Sequence, residues 1–236
     1  MSNSRNGDFY FGISNSKIYI CFFEYGKNNF KNSIDFEIPN TINNDLNFKI
    51  ILDLLKDNIR KLEKSLGFFL TTGNVSIDSE TYQRFLFSIK NVFDEKALDE
   101  TVITNLVQGG VQYFNNYNKK LSIIHIIINK YIVDGKEYNF LPYDIKFKKI
   151  ILELEFICLD KNLINKINNL FKECKININK IVSFEYSKKF LNGEEDPNMC
   201  LSAKKVINGV NKSELQIQEN PKAKTGIFDR IFNFFE

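Results

Sequence analysis

The sequence predicts a mixed protein of the α+β or α/β class, followed by a separate amphipathic segment at the C-terminus. Three observations carry this. Short runs rich in aromatic and β-branched residues recur from residue 8 onward. Between them lie stretches whose apolar residues follow helical spacing. The block 148–184 then runs strand, helix, strand, a succession in which a helix covers one sheet face.

Taken in order, DFYFGIS (8–14) and KIYICFFEYG (17–26) meet at the polar pair Asn15-Ser16, which predicts a hairpin. SIDFEI (33–38) adds a third strand. From Leu46 to Leu66, Leu46, Ile50, Ile51, Leu54, Leu55, Ile59 and Leu62 keep helical spacing, and Gly67 stops the helix. GFFLTTGNVSI (67–77) and RFLFSIKNV (84–92) are further strands. A second helix runs from about Glu100 to Tyr113, weakened at its end by Gly109-Gly110. LSIIHIIINKYIVDG (121–135) is a long strand ending in an Asp-Gly turn, and KKIILELEFICL (148–159) is a strand with apolar alternation. DKNLINKINNLFKECK (160–175) is a helix with an Asp at its start, and ININKIVSF (176–184) returns as a strand. After NGEEDPNM, a short helix begins near Pro197. Residues 211–224, NKSELQIQENPKAK, are polar and aperiodic, the composition of a flexible linker.

Composition narrows the function. Thirty-two basic against 29 acidic residues give a net charge of +3, too little to make nucleic acid a partner. The longest apolar run, 121–129, falls far short of the ~18 residues a membrane span requires. The polar start of the chain carries no signal peptide, and Cys21, Cys158, Cys174 and Cys200 lie too far apart for a CxxC metal motif. Buried thiols in a reduced, cytoplasmic compartment are the expectation. His125, the sole histidine, is set among isoleucines and is expected to be a core histidine without catalytic work. Glu194, Glu195 and Asp196 are expected to be a solvated loop, so no metal and no catalytic residue is assigned.

The first hairpin turn, GISNSK (12–17), places Ser14, Asn15, Ser16 and Lys17 where a phosphate would meet a backbone cradle. It lacks a carboxylate for Mg²⁺, and no second Gly-rich loop follows. No nucleotide or other cofactor is therefore expected.

The last ten residues carry six large apolar side chains. On a helix, Ile227, Phe228, Ile231, Phe232, Phe234 and Phe235 share an arc of about 160°, with Asp229, Arg230, Asn233 and Glu236 on the remainder. Such a short helix is marginal in water alone and folds when its apolar face finds a surface. That surface is either a lipid headgroup boundary or the protein's own body. The polar lead of 211–224 favours lipid.

Four stretches together resemble the FtsA family, bacterial actin-like proteins that tether the division ring to the membrane. IHIIINKYIVDGKE (124–137) and LELEFICLDKNLINKINNLFKECKININKIVSF (152–184) are similar to the family's strand and strand–helix–strand blocks. FGISNSKI (11–18) looks like a decayed phosphate hairpin, and PKAKTGIFDRIFNFFE (221–236) looks like the membrane-targeting tail. The resemblance implies a partial actin-like (ribonuclease H-like) 1A subdomain over 1–80 and 183–210, and an inserted 1C-type subdomain over 81–182. It also implies a linker over 211–224 and a membrane-targeting helix over 225–236. Gly12 and Ser14 stand where the family's hairpin has an Asp two residues before a Gly, and the second phosphate loop has no counterpart. The resemblance therefore implies a shortened, non-enzymatic division adaptor on the cytoplasmic face of the inner membrane. Its partners would be other divisome proteins or FtsA-like subunits. The family's FtsZ-docking groove lies in a subdomain with no counterpart here, which argues against FtsZ without removing it as a partner. The rivals are a nucleotide-dependent assembly ATPase with a diverged site, and a soluble interaction domain whose tail packs on its own body.

Overall fold

The computed structural model describes residues 7–26, 31–38, 48–142, 145–191 and 198–215. In chain order its elements are β1 (Gly7–Ile13), β2 (Lys17–Glu24), β3 (Asn32–Glu37), α1 (Phe48–Leu66), β4 (Thr72–Ile77), β5 (Gln83–Ala97), α2 (Glu100–Tyr117) and β6 (Leu121–Val133). There follow β7 (Lys136–Tyr138), β8 (Lys146–Asp160), α3 (Lys161–Glu173), β9 (Asn177–Ser183), α4 (Phe184–Ser187), α5 (Met199–Ile207) and β10 (Glu214–Leu215). The chain is mixed α+β, with two five-stranded sheets in two compact units. One unit takes its described residues from 1–81 and 162–210, the other from 82–161 and 211–215.

In the first unit the strand order is β3-β2-β1-β4-β9. β1, β2 and β3 form an antiparallel meander, whereas β4 and β9 run parallel to β1. That is the ribonuclease H-like arrangement of an actin-like subdomain. Six of the seven β1 residues are buried, because helices cover both faces of the sheet. On one face Phe11 meets Phe171 of α3, with ring centroids 4.7 Å apart. On the other, Cys200 of α5 bonds the Tyr10 carbonyl at 3.3 Å. α1 buries Ile51, Leu55, Ile59 and Leu62, and Gly67 closes it through its N–H to the Glu63 carbonyl.

The second unit is an antiparallel sheet, β10-β6-β8-β5, with β7 also pairing β6. α2 lies on it and packs Val102, Leu106, Val107, Val111 and Phe114 against Ile126, Ile128, Leu152, Leu154 and Phe156. The Asp134-Gly135 turn has positive φ at both residues, 47° and 86°, as a two-residue hairpin with right-handed twist requires.

Several expectations need correction. α2 continues to Tyr117 instead of ending near Tyr113. At Gly110 the helix backbone approaches β5 so closely that a Cβ would stand 2.4 Å from Ile89 Cδ1, so the glycine serves packing. β4 begins at Thr72, five residues later than the run 67–77 suggests, and β5 extends to Ala97. The second unit closes after β8. α3 and β9 belong to the first sheet, so the boundary expected at Val182 falls near Lys161. Residues 211–215 are not linker: β10 pairs Glu214 with Ile127 and Leu215 with Ile126. The remainder of the expected linker, 216–224, lies outside the described residues.

Candidate functional site

The parallel strands β1, β4 and β9 point their carboxyl ends at one edge of the first sheet, where open α/β sheets place ligands. The β1–β2 turn, Asp78, α4 and the start of α5 are the chemistry-bearing groups there.

Ser14 N–H donates to the Lys17 carbonyl at 3.0 Å, and Lys17 N–H donates to Ser14 Oγ at 2.9 Å. Ser14 Oγ also donates to the Lys17 carbonyl, 3.0 Å away. Ile38 N–H donates to the Ser16 carbonyl. Lys17 Nζ lies 2.7 Å from Asp35 on β3 and 5.3 Å from the Tyr19 ring centroid. Asn15 and Ser16 project into solvent. Gly12 is covered as well: a Cβ there would stand 2.8 Å from Met199 Cβ, so the glycine admits α5 against the strand. The N–H groups of Ser14 and Lys17 are therefore taken up within the turn, and its ammonium is paired with Asp35.

Beside it, Asp78 follows β4 and donates its N–H to the Ile13 carbonyl at 2.8 Å. Desolvation pushes its carboxyl above the ordinary range; Lys188 opposes the shift, and Glu185 and Glu80 add to it. Lys188 is itself paired with Glu185. Ser183 caps α4 by accepting from Tyr186 N–H, and Asn198 caps α5 by accepting from Cys200 and Leu201 N–H. Sequence reasoning missed Asp78. Its signal was the acid closing the strand run GNVSI, which gains meaning only once β4 is known to run parallel to β1.

A carboxyl whose pKa is higher in the folded than in the unfolded chain burdens the fold when ionised and releases that burden as pH falls through the folded value. Asp78→Asn is thus expected to raise stability slightly at neutral pH and to leave it unchanged in acid, where Asp78 is protonated. The effect is small because the side chain is exposed. Urea titrations at both pH values check it.

The cysteines are free thiols. Burial pushes Cys158 up to about 12, Cys174 up to about 11 and Cys200 well above its ordinary value, so these three thiols stay protonated at neutral pH. His125 is buried on β6 with Nδ1 2.6 Å from Glu214 Oε1 of β10. At the opposite end of the first sheet, α1 and α3 leave a groove of about 520 Å³ whose walls include Lys56, Arg60, Phe69 and Lys175. Among the described residues no three His, Cys, Asp or Glu side chains gather as a metal site, and no helix is long and apolar enough to cross a membrane. The six apolar tail residues, Ile227, Phe228, Ile231, Phe232, Phe234 and Phe235, and the loop acids Glu194, Glu195 and Asp196, lie outside the described residues.

No family model and no curated protein matches the chain. Among solved structures it is similar to one titled a PilM-PilN type IV pilus biogenesis complex, at 8% identity and a TM-score of 0.47, over 79% of this chain and 50% of that one. It is also similar to a Bacteroides thetaiotaomicron protein described as having an actin-like ATPase fold and unknown function. There the identity is 10% and the TM-score 0.35, over 78% of this chain and 54% of that one. The chain spans about half the length of these structures, and the likeness concerns the fold alone.

Proposed function

We propose that the protein is a non-enzymatic, FtsA-like adaptor that lies on the cytoplasmic face of the cell membrane through residues 225–236. In this reading it binds other division proteins or FtsA-like subunits through its second unit, at the division site. The observation that carries the non-enzymatic part is the closed β1–β2 turn. A phosphate cradle needs free backbone N–H groups and an available cation. Here Ser14 and Lys17 bond each other, and Lys17 Nζ is held by Asp35. The membrane part rests on the tail's sequence and on the FtsA resemblance.

Full burial of the six apolar tail side chains would yield on the order of 9–18 kcal/mol. Partial insertion and the cost of ordering the chain leave much less, so one copy binds lipid reversibly and several bind firmly. The parent is expected to float with liposomes of anionic and zwitterionic lipid, and Phe228→Asp with Phe232→Asp to remain in the soluble fraction. Equal flotation of the two would remove the anchor. Micromolar binding of Mg-ATP by calorimetry would instead return the chain to the nucleotide-dependent class.

A further inference from the structure

β5 ends the sheet of the second unit: β8 pairs with one side of it, and among the described residues no strand pairs with the other. Proteins blunt such an edge with a proline, a glycine, a bulge or several charges. From Arg84 to Val92 this strand has no Pro and no Gly, and its charges are Arg84 and Lys90 alone. Its pairing with β8 stays regular as far as Val92, before an irregularity that ends at Lys96. Its outer face also exposes Leu86 and Val92, at 72% and 61%. So lightly guarded an edge can accept a partner that satisfies its backbone and covers those two side chains.

We propose that the partner is a second copy of this chain, joined β5 to β5 in antiparallel register about a two-fold axis at Ile89. The residue pattern itself selects that occupant. Residues directly opposite in an antiparallel pair point to the same face. Centring on Ile89 sets Leu86 against Val92, Arg84 against Asp94 and Ser88 against Lys90 on the outer face. On the inner face Phe85 meets Phe93, Phe87 meets Asn91, and Ile89 meets its own copy. Both exposed apolar residues are thereby covered by each other, and each contact occurs twice. Arg84, already 3.3 Å from Glu155 of its own β8, gains a second carboxylate.

Neighbouring registers fail. Centring on Ser88 sets Arg84 against Val92 and Leu86 against Lys90. Centring on Lys90 opposes that ammonium to itself and sets Leu86 against Asp94. A shift by one residue turns inward side chains against outward ones. The inward set, Phe85, Phe87, Ile89 and Phe93, packs on the core of its own unit, so pairing extends one apolar layer across both copies. The pairing of β5 with β8 is irregular between Val92 and Lys96, where Glu95 has φ 80°. Leu86 to Val92 is therefore the regular heart of the pairing window, and the Arg84–Asp94 and Phe85–Phe93 pairs lie at its margin.

Sedimentation equilibrium on the full chain tests this. The parent is expected to dimerise. Leu86→Glu alone, or Val92→Lys alone, is expected to raise the dissociation constant about a hundredfold, roughly tenfold for each of the two symmetry-related contacts. Leu86→Glu combined with Val92→Lys opposes a carboxylate to an ammonium at both contacts and is expected to restore most of the dimer. Both positions are exposed, so the fold tolerates each change. Phe228→Asp with Phe232→Asp is expected to dimerise like the parent. A monomeric parent would overturn the pairing, whether the edge is bare or covered by the chain's own C-terminal residues. So would single variants that dimerise like the parent, or a double variant as dissociated as the singles. Loss of the dimer in the tail variant alone would assign self-association to the tail and leave the adaptor reading standing.

Discussion

Phe156→Ala is expected to destabilise the second unit by about 3–5 kcal/mol, the upper range for a core aromatic replaced by alanine. Phe156 is fully buried on β8, the strand that pairs with β5 on one side and β6 on the other. Its ring packs edge-on against Phe87 at 4.6 Å and against Phe114 of α2 at 5.5 Å. Truncation therefore removes two aromatic contacts and opens a cavity that a strand fixed on both edges cannot fill by moving. A domain's whole stability is about 5–15 kcal/mol, so this loss takes a large share of it. Urea unfolding should show a lower midpoint with little change in slope. Phe140→Ala, at a residue 67% exposed, is expected to change stability by less than about 0.5 kcal/mol. A cost below about 1 kcal/mol for Phe156→Ala would mean that this aromatic cluster is not the core of the unit.

Elements whose cause is local were legible in the sequence. β1 and β2 are runs of aromatic and β-branched residues, α1 keeps its apolar stripe for 19 residues, and Asp134-Gly135 carries its turn geometry in its own chemistry. What escaped depends on a distant partner. Gly110 looked like a helix weakness because its reason, Ile89 Cδ1, belongs to another strand. Glu214-Leu215 is too short for any periodicity, and its strand character comes from Ile126 and Ile127. The reach of α3 and β9 into the first sheet depends on the parallel pairing of β9 with β4, which no local spacing encodes.

The candidate site divides in the same way. Ser14 and Lys17 are legible in the sequence as polar content of the first turn, but what engages Lys17 within the protein is not. That depends on Asp35, which a two-strand register brings within 2.7 Å of Lys17. The covering of Gly12 by Met199 likewise joins residues at opposite ends of the chain. The bonds between Ser14 and Lys17 and the pairing of Lys17 with Asp35 engage groups that an anion at this turn would otherwise meet.

Glu214→Ala would cost about 1–3 kcal/mol if β10 stayed in place, because it removes the carboxylate bonded to a buried polar ring. His125 and Glu214 are only 2% and 5% exposed, with 2.6 Å between Nδ1 and Oε1. β10, however, is two residues long and has a cheaper way out. It can leave the edge of β6, losing its ladder bonds, the bond from Ile128 N–H to the Ser213 carbonyl and the burial of Leu215. The expected result is therefore local. Ile128 N–H should exchange with solvent far faster than in the parent, whereas amides bonded between β6 and β8 keep their protection. Replacing both partners by apolar residues, His125→Leu with Glu214→Leu, removes the buried polar groups together and is expected to hold β10 in place at near-parental stability. If Glu214→Ala left Ile128 protected, or if the double replacement released β10 as readily as the single one, the pair would not be what fastens this segment.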